Sequence, residues 1–420
     1  MVISVRKVGS FVATGFATQA AAAVAGLLLV RWMSVADYAV YTVAITIVGA
    51  IRLLTRGGVQ HGLAAALARV WPDRAGAAQA LGSAMRVRWL ISAITMPPIL
   101  IVSWFLLTRA DAGGAAIGAI LAILVLVWLA DTQGSVIDQV LFFDGKAVRV
   151  QILDAVISAA RLGLIVVLRI AGMVSATTAL LTSLFSVGAR IPAIRKWIGT
   201  TLGETGAGPA PETTGAIRLV ALRQIPVDLF VALQAQAAIF YLTQGGGGIE
   251  LAAYGALARI AQILTPFSAV ILAFFVPAFA KANDRVAARL LGYVGVGALP
   301  GLGLAAWALV APGTLLFFIG PAYADQAWPL IVCAGTVAVM SAVEVAASLV
   351  AHRGWNRWGW VRIAIGLAWC VVAPLFIAVD TAAGAYLFYC GFSIGTVVAL
   401  LLELRTARRG GEIRLGRAAG

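Results

Sequence analysis

The sequence predicts an all-α polytopic membrane protein with about twelve transmembrane helices in two six-helix bundles related by pseudo-two-fold symmetry. Three observations predict it: an apolar composition, the length of the apolar runs, and one long polar connection near mid-chain. Hydrophobic residues make up 62% of the 420 and charged residues 11%, whereas a soluble domain carries about a quarter charged. The apolar residues gather into runs of about 20, enough for an α-helix to cross about 30 Å of hydrocarbon. They do not alternate in period two as barrel strands do. Hydrocarbon offers no partner to an open sheet edge, so the spanning elements are helices.

In chain order the runs lie near 9–30, 36–67, 89–108, 113–131, 151–170, 174–192, 219–243, 249–279, 290–311, 327–350, 358–378 and 382–402. The first follows Arg6 and Lys7 as a signal peptide would, but its length makes a retained first helix the better reading. Between the runs stand turn formers: Trp71-Pro72-Asp73, Gly113-Gly114, Asp144-Gly145-Lys146, Gly208-Pro209-Ala210-Pro211, the glycines 245–248 and Asp380.

The formal charge of +14 follows these connections. If the amino terminus is cytoplasmic and the loops alternate sides, Arg69, Arg74, Arg86, Arg88, Lys146, Arg149, Arg190, Arg195, Lys196, Arg218, Arg223, Arg357 and Arg362 fall inside. Lys281, Arg285, Arg289, Arg353 and the tail arginines from Arg405 to Arg417 join them. Outside are Arg31, Arg109 and Arg169, beside Asp37, Asp111, Glu250, Asp325 and Asp380. This positive-inside bias predicts an inner-membrane protein with both termini cytoplasmic, and it accounts for the basic balance without a nucleic-acid partner. The organisation predicted is an amino-terminal bundle over 1–192, a cytoplasmic linker over 193–217, a carboxy-terminal bundle over 218–404 and a basic tail over 405–420. An even number of spans on each side of the linker gives the halves one orientation, as in parallel transporter repeats.

Cys333, Cys370 and Cys390 are isolated in apolar runs, and His61 and His352 lack a metal-spaced partner. No metal site, cofactor site, nucleophile, Walker or Rossmann pattern is present, and no enzyme activity is predicted.

Ionisable groups at depth are the informative residues, because an arginine at the centre of a span costs about 2.5–3.5 kcal/mol on insertion scales. Arg52 and Arg56 lie one turn apart on one face of the second run, Arg161 sits near the middle of the fifth, and Arg259 lies within the eighth. Two readings stand for these four. They converge on a solvated cavity where guanidinium groups bind phosphate bidentately, or they pair internally with Asp154, Asp228 and Glu344. Asp154 precedes Arg161 by seven residues on roughly the same face. Asp131 and Asp138, at the end of the fourth run, are expected in solvent. Met96-Pro97-Pro98, Pro226, Pro266, Pro277 and Pro300-Gly301 predict bends, and Gly57-Gly58 predicts a close helix approach.

Several local strings resemble the polysaccharide (O-antigen and exopolysaccharide) flippases of the multidrug/oligosaccharidyl-lipid/polysaccharide exporter superfamily. Residues 29–41, LVRWMSVADYAVY, are similar to that family's first-helix end and acidic-aromatic opening of helix two, although Ala39 replaces a glycine. Residues 54–62, LTRGGVQHG, and 253–262, AYGALARIAQ, resemble matching stretches of helices two and eight. Residues 318–327, FIGPAYADQA, resemble the start of helix ten. The resemblance implies two six-helix bundles rocking around a cationic cavity that takes the pyrophosphate of an undecaprenyl-linked oligosaccharide. Arg52, Arg56, Arg161 and Arg259 suit that cavity by chemistry, with Asp154, Asp228 and Glu344 as coupling or ion-pair acids. Membrane lipids and other glycan-assembly proteins are the further partners it implies.

A cation-coupled multidrug or small-solute exporter on the same fold is the alternative, disfavoured by an excess of buried arginine over buried acid. A membrane glycosyltransferase or polymerase is disfavoured by short, nearly uncharged external connections.

Overall fold

A computed structural model of the chain describes residues 5–134, 136–203, 208–264, 267, 279, 286–352 and 357–409. Among them ten helices are long and apolar enough to cross a membrane. The predicted run 358–378 is a shorter apolar helix, Gly359–Leu375. The run 249–279 opens with Gly247–Gln262 and continues outside the described residues, where Pro266 and Pro277 also lie. The all-α class predicted from composition is the class observed.

The chain divides into two compact units, 1–236 and 237–420. The first begins with α1 (Val5–Trp32) and α2 (Val35–Val70). Ser34 ends the break between them as an N-cap, its hydroxyl accepting from the Asp37 amide at 3.1 Å. Next, α3 spans Arg74–Arg109. It starts fifteen residues earlier than the apolar run, because the Asp73 carboxylate caps it by accepting from Ala75 and Gly76 at 3.0 Å each. Pro97 and Pro98 sit inside it, and Met96 is buried.

Then come α4 (Gly114–Gly134), α5 (Ile137–Phe143), α6 (Ala147–Ile170), α7 (Ala176–Gly188), α8 (Ile191–Leu202) and α9 (Pro211–Tyr241), the last of which crosses the division between units. Ser175 opens α7 through a capping box with Thr178. Inside this unit α1 packs on α6, α2 on α3, and α4 on α7.

Gly145, at φ 74°, turns the chain between α5 and α6 and brings Asp144 back to Lys146. The Lys146 ammonium lies 2.8 Å from the Asp144 carboxylate, and the Thr201 hydroxyl donates to the same oxygen at 2.9 Å. Burial alone would raise the Asp144 pKa, but Lys146 and Thr201 outweigh it and hold the carboxyl below its ordinary range.

Near this end of the unit α2 and α9 cross closely. A Cβ on Gly58 would fall 2.5 Å from Ala221 Cα, and one on Gly62 would fall 3.0 Å from Ile217 Cγ2. The close approach predicted at Gly57-Gly58 is thus seen at Gly58, with its partner one turn away at Gly62. Val59, Leu63, Leu67, Ile217 and Ala221 are buried around the crossing.

The second unit holds α10 (Gly247–Gln262), α11 (Val286–Val310), α12 (Pro312–Ile319), α13 (Ala327–His352), α14 (Gly359–Val372) and α15 (Ala382–Arg409). Here α13 packs between α11 and α15, and α14 lies on α15. Small residues allow this: a Cβ on Gly301 would fall 2.6 Å from Ala338 Cα, and one on Gly391 would enter the Trp369 indole. Asp380 lies against Gly245, and Glu250 caps α15 by accepting from the Ala382 amide at 2.7 Å.

Candidate functional site

The predicted arginines fall in separate surroundings. Arg161, on α6, points towards α7 and α2. Its guanidinium donates to Ser183 Oγ at 2.9 Å, Thr182 Oγ1 at 3.1 Å and Tyr41 Oη at 3.4 Å. All three partners are neutral hydroxyls. Thr182 is itself held, donating to the Ala179 carbonyl at 2.7 Å, so Arg161 is oriented in a partly buried position without charge compensation from those groups.

Arg52, on α2, lies with its Nε 4.0 Å from Asp131 Oδ1. The other carboxylate oxygen is taken by Arg88 on α3, whose Nη2 donates to Asp131 Oδ2 and to the Asp131 carbonyl, both at 2.8 Å. The three side chains differ sharply in exposure: Arg88 0%, Asp131 1% and Arg52 38%. This corrects two sequence expectations. Arg88 is not a loop charge, because α3 extends well before residue 89 and turns Arg88 into the α2/α4 interface, while Arg86 on the opposite face is exposed. Asp131 is not solvated, because the last turn of α4 carries it inward against Arg88.

Asp154 does not pair with Arg161. Seven residues separate them by about 10 Å along the helix axis, and Asp154 instead meets Arg190 Nε at 3.3 Å. Arg190, read from sequence as a loop charge, also donates to Asp138 at 3.0 Å, and Arg195 donates to Gln133. The Tyr41 that meets Arg161 lies about 16 Å along α2 from Arg52. The side chain of Arg56 lies outside the described residues.

Asp228, on α9, is buried and accepts from Gln224 at 3.0 Å. Beside it, in the same unit, an apolar cavity of about 330 Å³ is lined by residues of α2, α3 and α9. Ile47, Leu54, Pro98, Ile99 and Leu233 are among its lining, with Thr95 and Gln236 as the polar residues. The Gln236 amide carries buried nitrogen and oxygen atoms without hydrogen-bond partners.

In the second unit Arg259 is partly exposed and donates to Gln262 at 2.9 Å. Glu344, on α13, lines a cavity of about 360 Å³ with Gln262, Ser341 and Tyr389, and it interacts electrostatically with Arg362 on α14. Arg362 was expected in a loop; α14 places it partly buried beside the acid.

No family profile and no curated protein sequence matches the chain. Solved structures do. A multidrug resistance MATE family transporter of the MOP superfamily, in its inward-facing conformation, superposes with a TM-score of 0.73 over 94% of each chain at 15% identity. The chain has the fold of the MOP-superfamily transporters.

The lipid II flippase MurJ, in an inward closed conformation, shares that fold at a TM-score of 0.69 and 12% identity, over 95% of this chain and 87% of that one. A MOP-superfamily transporter from Pyrococcus furiosus, described as having a binding pocket of reverse polarity that suggests a different function, matches at 0.60 and 14% identity over 96% and 95%. In this chain the α2/α3/α4 charge cluster and the hydroxyl-held Arg161 both belong to the first unit. Glu344 and its cavity belong to the second.

Sequence reasoning missed the Arg88–Asp131 pair, whose members are 43 positions apart. A signal for the Arg161 setting was present as the adjacent hydroxyls Thr182 and Ser183 near the middle of the run 174–192.

Proposed function

We propose that the chain is a transporter of an anionic, lipid-linked substrate, a polyprenyl-diphosphate oligosaccharide of the undecaprenyl type, and that it moves this substrate across the inner membrane by alternating access. Arg161 carries the proposal. A guanidinium in the middle of a membrane-length helix, held by three hydroxyls, supplies a positive charge and a planar fork suited to a diphosphate. In the cluster of Arg52, Arg88 and Asp131, Arg52 is the cation with solvent access, its side chain 38% exposed against 0% for Arg88. The apolar cavity walled by Ile47, Leu54 and Leu233 offers a place for isoprenoid carbons. Likeness of fold to a lipid II flippase agrees with this reading. Arg56 and Arg259 are proposed as further cations along the route.

A cation-coupled exporter is the second reading, favoured by one observation: Glu344 faces a cavity in the second unit with Gln262, Ser341 and Tyr389 beside it. Purified protein separates the two. The account expects farnesyl diphosphate to bind the wild-type protein and tetraphenylphosphonium not to. Arg161→Gln should weaken diphosphate binding at least tenfold with little change in melting temperature, since it leaves only neutral hydroxyls behind. Binding of the organic cation alone would favour the exporter and overturn the proposal.

A further inference from the structure

We infer that Asp131, fixed by Arg88, is the positioning residue that holds Arg52 for the substrate's diphosphate, so that α2, α3 and α4 form one preorganised anion-binding element. This deepens the proposal above and rests on it.

The side chains of the cluster divide the labour. Arg88 uses two contacts, one to the Asp131 carboxylate and one to its backbone carbonyl, both at 2.8 Å. Both bonds leave the same Nη2, so Arg88 is anchored on the Asp131 backbone while it holds Oδ2. Oδ1 remains on the side of Arg52 and meets its Nε at 4.0 Å. A contact of that length is too long for a hydrogen bond but strong enough electrostatically to bias a rotamer where water is scarce.

Arg52 itself is 38% exposed whereas its two neighbours are sealed. A long arginine left to itself spreads over many rotamers, and each immobilised chain of this kind costs binding free energy. A buried carboxylate that restrains one edge of the guanidinium removes part of that cost in advance.

The arrangement also explains why a buried pair is present at all. As a bare stabiliser, an ion pair is no better than apolar residues of equal volume. Arg88 and Asp131 would be expendable for folding if replaced together, whereas holding Arg52 is a use that apolar residues could not supply. A small part of the helix surface then sets the geometry: Arg88 is on α3, Asp131 on the last turn of α4, and Arg52 on α2.

The test is a double-mutant cycle read by calorimetric binding of farnesyl diphosphate to detergent-purified, full-length protein. Replacing the pair together, Arg88→Met with Asp131→Leu, should weaken binding about tenfold when Arg52 is present. In an Arg52→Gln background the same replacement should change binding less than twofold, because the guanidinium that the pair positions is gone. Equal weakening in both backgrounds would show a general structural effect and overturn the inference, as would unchanged binding with Arg52 intact. If the apolar pair does not yield folded protein, Asp131→Glu keeps every charge and displaces the carboxylate by one methylene. It is expected to weaken binding in the same Arg52-dependent way, and wild-type affinity in that variant overturns the inference. Wild-type protein that binds no diphosphate removes the proposed function and the inference with it, whereas normal wild-type binding with a flat cycle removes the inference alone.

Discussion

Arg88→Ala is expected to be the most damaging arginine substitution in the chain, destabilising the fold by about 3–5 kcal/mol. The side chain is fully buried and makes two 2.8 Å contacts to one residue. Its loss takes from Asp131, 1% exposed, the cation that donates to both its carboxylate and its carbonyl, while Arg52 stands 4.0 Å away. Thermal unfolding in detergent checks this, with Arg86→Ala on the exposed face of the same helix as the control. The control should melt close to wild type. The paired replacement of Arg88 and Asp131 by apolar residues should recover most of the loss, because it removes the stranded charge together with its partner. Equal melting temperatures for Arg88→Ala and Arg86→Ala would contradict the buried-pair account.

Gly58→Leu is expected to have the second large effect, through packing instead of charge. A Cβ there would meet Ala221 Cα at 2.5 Å, Ala221 O at 2.9 Å and Gln224 Cβ at 2.9 Å. Two of these atoms are backbone, so relief requires α2 and α9 to move apart, and overpacking of this kind costs about 1–3 kcal/mol. Gly49→Leu, where a Cβ meets nothing within 4 Å, is the comparison. Transport and melting temperature should both fall in Gly58→Leu and hold in Gly49→Leu. A Gly58→Leu protein as active and as stable as wild type would show that α2 and α9 do not rely on this crossing.

These two residues also show where sequence reading succeeds and where it stops. The glycine is legible because a Gly-Gly pair in an apolar run has few uses other than close helix approach, and its neighbour Gly62 lies on the same face. Helix existence is legible for a similar reason, since hydrocarbon length sets the run length. Ends are less so: α3 begins at Arg74 because Asp73 caps it, fifteen residues before hydropathy rises. That single displacement turned Arg88 from a buried partner of Asp131 into an apparent loop charge. Arg190 and Arg362 were misread in the same way, by counting basic residues near run ends as loop residues. Arg161 stood out because no run end was near it, yet its partners Tyr41, Thr182 and Ser183 come from two other helices. Spacing along one helix cannot show contacts made between helices, and this is why Asp154 seemed suited to Arg161 when Arg190 takes it.

The central claim is that the chain moves a polyprenyl-diphosphate-linked glycan, and its most direct test is flipping in proteoliposomes. Purified protein would be reconstituted with a fluorescent short-chain polyprenyl-diphosphate oligosaccharide in both leaflets, and an impermeant reagent would quench the outer one. The account predicts that wild-type protein exposes the inner pool to the reagent, that Arg161→Gln and Arg52→Gln slow this at least tenfold, and that Arg161→Lys recovers only part of it because an ammonium lacks the planar fork. An inner pool that stays protected in wild-type vesicles, in protein shown to be folded and inserted, would contradict it.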